Sequence, residues 1–175
     1  MAELAAVVAE TLAGYYEEID EQVHRWVDSL TTEQIWARPF GFQARGLQTQ
    51  ALKPDGNSVG HLLLHLTGNL NYYIGAQIAG TGYVRHRDAE FTDAQKKPKQ
   101  QVLADFDRAI SMVAATIRKQ SPEDWTKPYA GEREPFAHDR FTAVFRCAAH
   151  AYHHVGQIIY LSKELAKPVA QATSH

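Results

Sequence analysis

Apolar residues recur at steps of three and four along four segments of the chain, which is the pattern of one-sided helices. The second segment runs from about Val59 to Ala79, the third follows Pro98, and the fourth runs from about Phe141 to Leu165. No segment alternates apolar and polar residues as a half-buried strand would, so the sequence predicts an all-α protein, an antiparallel four-helix bundle with long inter-helix loops. The apolar stripe of the first segment comprises Leu4, Val8, Leu12, Tyr15, Ile19, Val23, Trp26 and Leu30.

Short polar sequences mark where the predicted helices begin and end. Thr31–Gln34 and Ser121–Asp124 are predicted to cap short helical turns, because a hydroxyl there can accept a hydrogen bond from a backbone N–H. Ser58 is predicted to cap the second long helix in the same way, and Gly80-Thr81-Gly82 to end it. The polar and charged connections are predicted to be loops that bring the substrate contacts, over residues 40–57, 81–97 and 121–140.

The composition is that of one soluble domain, which we assign to residues 1–175. Eighteen basic and 20 acidic residues form no basic stripe, so nucleic acid is not expected as a partner. No run approaches the ~18 apolar residues of a membrane span, and the N-terminus lacks a signal-peptide pattern, so no membrane partner is expected. The single cysteine, Cys147, excludes an internal disulfide and fits a cytoplasmic location.

Nine histidines are the unusual feature of the composition, and two pairs of them have helical spacing. His150 and His154 are four residues apart on the fourth helix, so both rings lie on one face and can reach one divalent ion. His61 and His65 repeat this spacing on the second helix. Three nitrogens would leave open positions on the ion as in catalytic sites, whereas four would close it as in structural sites. The spacing leaves both possibilities open.

Neighbouring residues on a helix point in different directions, which limits the candidate ligands. His153 is rotated by roughly 100° from His154 and is therefore excluded from the same ion. His24 is expected to be solvated, and His86 to line the mouth of a pocket. Further residues are candidates for hydrogen bonds to the ligand rings or for the pocket wall: Asn69, Tyr72, Tyr152 and Gln157. Three charged residues of the second loop are candidates for contacts with a polar substrate: Arg87, Asp88 and Glu90.

Two motifs resemble those of the DinB/YfiT-like family. The first is the second-helix sequence Asn57–Leu66, NSVGHLLLHL, and the second is the fourth-helix sequence His150–Ile158, HAYHHVGQI. Leu30–Pro39 is similar to the family's exit from helix one. Gly68-Asn69-Leu70 and Arg87–Phe91 resemble one uncharacterised bacterial subgroup in particular. The resemblance covers residues from about 4 to 165 in the correct order.

The resemblance implies a four-helix bundle in which three histidines hold one divalent ion, usually zinc or nickel. Carried over position by position, it assigns the ligand roles to His65, His150 and His154. His61 occupies a place where the subgroup commonly has another polar residue, so its role stays open. Members of the family include transferases and isomerases that use small thiols. The bundle is also expected to form a homodimer by analogy.

The leading hypothesis is therefore a divalent-metal-dependent enzyme, either a thiol-dependent S-transferase or a hydrolase. Its partners would be a small-molecule thiol and an electrophilic substrate. The alternative is a non-catalytic, dimeric, stress-related binding protein in which the metal or the histidine cluster is structural. The catalytic residues and the substrate cannot be assigned from the sequence.

Overall fold

The computed structural model describes residues 2–38, 57–129, 131 and 137–166. Over these residues the chain is helical, without strands, apart from one isolated antiparallel bridge between Pro128 and Asp139. The predicted all-α class is confirmed. The α-helices are α1 (Ala2–Val27), α2 (Thr32–Trp36), α3 (Val59–Leu70), α4 (Lys99–Arg118), α5 (Pro122–Trp125) and α6 (Arg140–Leu165).

The predicted helix starts are confirmed by their hydrogen bonds. The hydroxyls of Thr31, Ser58 and Ser121 each accept a hydrogen bond from the backbone N–H three residues on, and the side chain at that later position accepts one from the backbone N–H of the cap residue. Such reciprocal caps satisfy two donors that a helix N-terminus otherwise leaves unpaired. Gly80 and Gly82 have φ of 68° and 73°, which agrees with the predicted glycine stop after the second long helix. The predicted loop at 40–57 lies almost wholly outside the described residues.

The four long helices pack in a ring, because α1 and α3 each contact both α4 and α6. The helix directions depart from the antiparallel order that we expected. Tyr15 contacts Tyr152 and Trp26 contacts Lys163, so α1 and α6 run in the same direction. The long connection between α3 and α4 brings the chain back to the end where α3 began. As a result, the Trp36 indole lies against Gly60 near the start of α3 and donates to the Lys97 carbonyl just before α4.

Three local details also differ from the prediction. The second long helix changes at Asn71–Ala76 into a π-helical segment, and the predicted loop before α4 contains 3₁₀ turns at Arg87–Phe91 and Asp93–Gln95. In α1 the fully buried ring is that of Tyr16, whereas Tyr15 is exposed. Among the described residues, no helix combines the length and apolar character needed to cross a membrane.

Candidate metal centre

Three histidine side chains converge between α3 and α6. His65 lies on α3, and His150 and His154 lie one turn apart on α6, facing it. The Nε2 atom of His150 is 3.3 Å from Nε2 of His65 and 3.1 Å from Nε2 of His154. Each residue offers one potential ligand atom, and these three atoms all lie within 4.8 Å of one another. The structure thus brings together the three histidines to which the family resemblance assigns the ligand roles.

The outer nitrogens of two rings determine where their lone pairs point. Nδ1 of His65 is 2.9 Å from a carboxylate oxygen of Glu90, and Nδ1 of His154 is 2.7 Å from Oε1 of Gln157. Both partners are acceptors, so in the form that can bind a metal each ring donates from Nδ1 and keeps its lone pair on Nε2. The two lone pairs are therefore directed into the cluster, as metal ligands require.

Glu90 is itself held by a charged partner. Arg85 donates from Nε and Nη2 to the two carboxylate oxygens, at 2.7 and 2.8 Å, and both side chains are only 8% exposed. Burial opposes ionisation of Glu90, but the hydrogen bonds from Arg85 and His65 and the charge of Arg85 outweigh it and lower the pKa of Glu90. Nη2 of Arg85 also lies 3.3 Å from Nδ1 of His65. We interpret this as a contact between two donors that share one carboxylate.

The glycine before Asn69 makes room for this carboxylate. A Cβ built on Gly68 would collide with Oε1 of Glu90 and lie 2.9 Å from its Cδ. Because Gly68 is one helical turn after His65, the side chain of Glu90 lies directly against the ligand-bearing helix. A larger residue at this position would force Glu90 away from the ring that it orients.

Burial favours the neutral form of two rings on α6, those of His150 and His154. It lowers the pKa of His150 to about 3, with further contributions from Arg85 and from His154 and His65, whose protonation would place like charges side by side. The pKa of His154 is also lowered, chiefly by burial, and the hydrogen bond to Gln157 only partly offsets this. Neutral imidazole is the form that coordinates metals. Nδ1 of His150 is buried without a hydrogen-bond partner among the described residues, so no acceptor orients this ring from its outer nitrogen.

The cluster fits a small divalent ion. Zinc–nitrogen bonds of 2.0–2.1 Å in a tetrahedral arrangement place neighbouring nitrogens about 3.3 Å apart, close to the two separations measured from His150. The lone pairs on Nε2 of His65 and His154 both point into the cluster, with Nε2 of His150 close to each, and a divalent cation at this point would accept all three nitrogens. Among the described residues no fourth histidine, cysteine or carboxylate joins the group, so the donor set consists of three nitrogens.

His61 lies outside the cluster and has another role. Its Nδ1 contacts the Ser58 hydroxyl at 2.8 Å and accepts from the Ser58 backbone N–H at 3.3 Å, which completes the cap of α3. The ring also packs edge-on against Trp36 and is 1% exposed. The fourth-ligand role left open by the spacing therefore finds no support in the geometry.

Among the predicted neighbours of the ligands, Gln157 is the one placed in contact with a cluster ring. Tyr152 instead packs on Tyr15 of α1, with ring centroids 5.1 Å apart. Asn69 is buried and its Oδ1 has no hydrogen-bond partner among the described residues. Tyr72 packs on Tyr73. His153 is exposed, and its Nε2 atom is 3.3 Å from Nε2 of Gln157. This agrees with the prediction that His153 is not a ligand of the same ion.

The charged residues of the loop before α4 differ in their burial. Glu90 is buried against His65, whereas Arg87 and Asp88 are exposed. Arg85 was not singled out by sequence reasoning. In the sequence, Arg85 is an arginine five residues before a glutamate, in a loop that follows the helix of His65. This pattern is too common to indicate an ion pair at the site.

A second group has the same compactness at the interface of α1 and α4. Asp20, His24 and Asp107 offer ligand atoms within 4.8 Å of one another. Both nitrogens of His24 already contact carboxylates, Asp28 and Asp107, at 3.0 Å each. This corrects the expectation that His24 is simply solvated. We interpret the group as a proton-sharing ion-pair network.

Two cavities lie beside Glu90 and Arg85, the residues that hold His65. One, of about 570 Å³, is bounded by Glu90 and Gly68 on one side and Arg108 on the other. The second, of about 530 Å³, is bounded by Arg85 and by Tyr72 and Tyr73. His86 lines both cavities, in agreement with its predicted position at a pocket.

Comparison with known proteins assigns the chain to a family. A family model described as a protein of unknown function, DUF1572, matches residues 43–173. This is more than half of the 175-residue chain and includes all three histidines of the cluster, so the protein belongs to the DUF1572 family. No curated protein and no solved structure matches the chain.

Proposed function

We propose that this protein is a divalent-metal-dependent enzyme of the DinB/YfiT-like type, in which the four long helices form a bundle around the ion. The observation that carries the proposal is the convergence of three Nε2 atoms from His65, His150 and His154, with two of the outer nitrogens held by acceptors. Zinc and nickel are the proposed metals, since both accept imidazole ligands.

The donor set supports a catalytic rather than a structural ion. A three-nitrogen site retains positions for water or substrate, and His61, the candidate for closing it, caps α3 instead. When bound, the ion would lower the pKa of a coordinated thiol or water toward neutrality. We therefore propose an S-transferase that joins a small-molecule thiol to an electrophile, or a hydrolase.

The residues around the cluster have distinct tasks in this proposal. Glu90 keeps His65 in the tautomer that presents Nε2, and Arg85 keeps Glu90 ionised. Gln157 performs the same orienting task for His154 without adding charge. A cytoplasmic location, a homodimer and a single domain over residues 1–175 remain predictions from the sequence.

Elemental analysis tests the proposal. Protein purified without metal-affinity resin should contain, or take up on exposure to zinc or nickel, about one equivalent of metal per chain. Less than about a tenth of an equivalent after reconstitution would overturn it. Loaded protein should then be assayed against electrophiles with several cellular thiols, and against hydrolysable esters and amides. A full equivalent of metal without turnover of any of them would favour the non-catalytic, stress-related binding protein.

A further inference from the structure

The cavity beside Arg85 has the features of a second ligand site. It is lined by the rings of Tyr72 and Tyr73 and by three charged side chains, Arg85, Arg87 and Asp88. Its volume of about 530 Å³ lies within the range of small-molecule pockets. Arg85 lies between the cavity and Nδ1 of His65. The cavity is therefore on the opposite side of the His65 ring from the converging Nε2 atoms.

Arg85 presents a fixed and incompletely used guanidinium group to this cavity. Nε and Nη2 are bonded to Glu90, whereas Nη1 makes no hydrogen bond to any described residue. The group also lies over the ring of Tyr73, with its central carbon 5.7 Å from the ring centroid. An arginine immobilised in this way has already lost most of its side-chain freedom, so binding a planar anion through its outer edge costs little further entropy.

The walls next to this edge are aromatic. Tyr72 and Tyr73 meet with ring centroids 5.0 Å apart and an interplanar angle of 76° and form an aromatic corner, in which Tyr72 offers most of the accessible surface because Tyr73 is only 6% exposed. Arg87 adds a second positive charge at the exposed rim, and Asp88 adds a negative one. The combination of a fixed guanidinium edge and an aromatic corner is suited to an acid with a flat ring.

We propose that this cavity binds a small aromatic carboxylate, whose oxygens accept hydrogen bonds from the outer edge of Arg85 and whose ring packs on Tyr72 and Tyr73. The inference goes beyond the metal-dependent activity, because the contacts lie on the far side of His65 and do not require an ion. Glu90 occupies the inner edge of the same guanidinium throughout.

Calorimetric titration with benzoate, compared with the neutral isostere benzamide, tests this site on the whole protein. Benzoate should bind at least about tenfold more tightly than benzamide, because only the carboxylate offers Arg85 a negative charge and two acceptor oxygens. Arg85→Lys retains a charge beside Glu90 but loses the fork, and should weaken benzoate binding about tenfold or more. Equal binding of the two probes, or unchanged benzoate binding in Arg85→Lys, would overturn the proposal.

Two exposed positions provide variants that do not disturb the buried pair. Asp88→Asn removes from the rim a negative charge that repels the benzoate carboxylate. It should tighten benzoate binding about twofold, without affecting benzamide. Arg108→Lys is the matched control, because Arg108 lines the neighbouring cavity and should leave benzoate binding unchanged. If Arg85→Lys does not fold, an unchanged benzoate affinity in Asp88→Asn by itself overturns the proposal.

Metal-free and zinc-loaded protein should be titrated in parallel. Comparable benzoate affinity in both forms supports a site at Arg85, even in a preparation whose metal content refutes the proposed enzyme. Benzoate binding that requires zinc would mean that the carboxylate contacts the ion, and this result would overturn the assignment to Arg85.

Discussion

The buried carboxylate of Glu90 accepts a hydrogen bond of 2.9 Å from Nδ1 of His65. The two residues lie 25 positions apart, on a helix and on a 3₁₀ turn, yet both side chains are 8% exposed. A carboxylate behind a ligand histidine fixes the tautomer and increases the basicity of the ligating nitrogen. Arg85 provides the charge that makes a buried carboxylate tolerable at this position.

Replacing this carboxylate by an amide should weaken metal binding. In Glu90→Gln we expect zinc affinity to fall about 10–100-fold, because the negative charge behind His65 is lost and the tautomer is less well fixed. Competition with a chromogenic chelator measures this change. Asp88→Asn, on the same 3₁₀ turn but exposed, should bind zinc as the unmodified protein does. A Glu90→Gln affinity within twofold of the original would refute the orienting role.

Gly68 provides an independent way to move the same carboxylate. Gly68→Ala places a methyl group against Glu90, so we expect about 1–3 kcal/mol of destabilisation, measured by urea unfolding, together with weaker zinc binding. Gly14→Ala is the control, because a Cβ there meets no atom within 4 Å and alanine favours the helix by about 0.5–1 kcal/mol. If Gly68→Ala were as stable as Gly14→Ala, the close approach would be of no consequence.

The adjacent histidines of α6 allow a matched comparison. His154→Ala should abolish tight metal binding, since two remaining nitrogens rarely hold such ions. His153→Ala should retain the metal, because its ring is exposed and lies outside the cluster. Metal content after dialysis against a weak chelator distinguishes the two variants. Equal metal retention by both would mean that the ion, if bound, is held elsewhere.

The histidine cluster could be predicted because it depends on helical periodicity. A spacing of four residues places His150 and His154 on one face whatever the rest of the chain does. The choice of His65 over His61 came from a family resemblance, and its physical reason becomes visible only in the cap that His61 forms with Ser58.

The support of the cluster could not be predicted in this way. Arg85 and Glu90 belong to an irregular segment whose path depends on tertiary contacts, so no periodic pattern marks which side chain turns inward. The burial of Tyr16, where the periodicity predicts Tyr15, has a similar origin. The two positions differ by roughly 100° around α1, and contacts with both α4 and α6 decide which one is buried.

His61 should be required for stability and dispensable for the metal. His61→Ala removes the side-chain half of the α3 cap and a buried ring, and we expect it to cost about 1–2 kcal/mol in the free energy of unfolding. His61→Gln should recover part of this loss, since glutamine at the same position completes a capping box. Both variants should retain about one equivalent of zinc. Loss of the metal with an intact fold would return His61 to the ligand set.

The network between α1 and α4 should make stability depend on pH. Burial, with the neighbouring Asp107, raises the pKa of Asp20 from 3.8 to about 6. Burial opposes protonation of His24, but the carboxylates of Asp107 and Asp28 outweigh it and raise its pKa. Both groups bind protons more tightly in the folded state, so their contribution to stability is greatest at low pH and is lost as the pH rises through their folded-state pKa values.

Asp20→Asn isolates the carboxyl part of this effect, because the amide resembles the protonated acid at every pH. Relative to the unmodified protein, the free energy of unfolding of Asp20→Asn should increase between pH 4 and pH 6 and then level off, with a difference of about 1 kcal/mol for this half-buried group. Urea unfolding of metal-free protein at pH 4, 5, 6, 7 and 8 provides the measurement. Taking the difference between the two proteins cancels carboxylates such as Glu90 that titrate in both. A difference that stays constant over this range would show that Asp20 titrates normally.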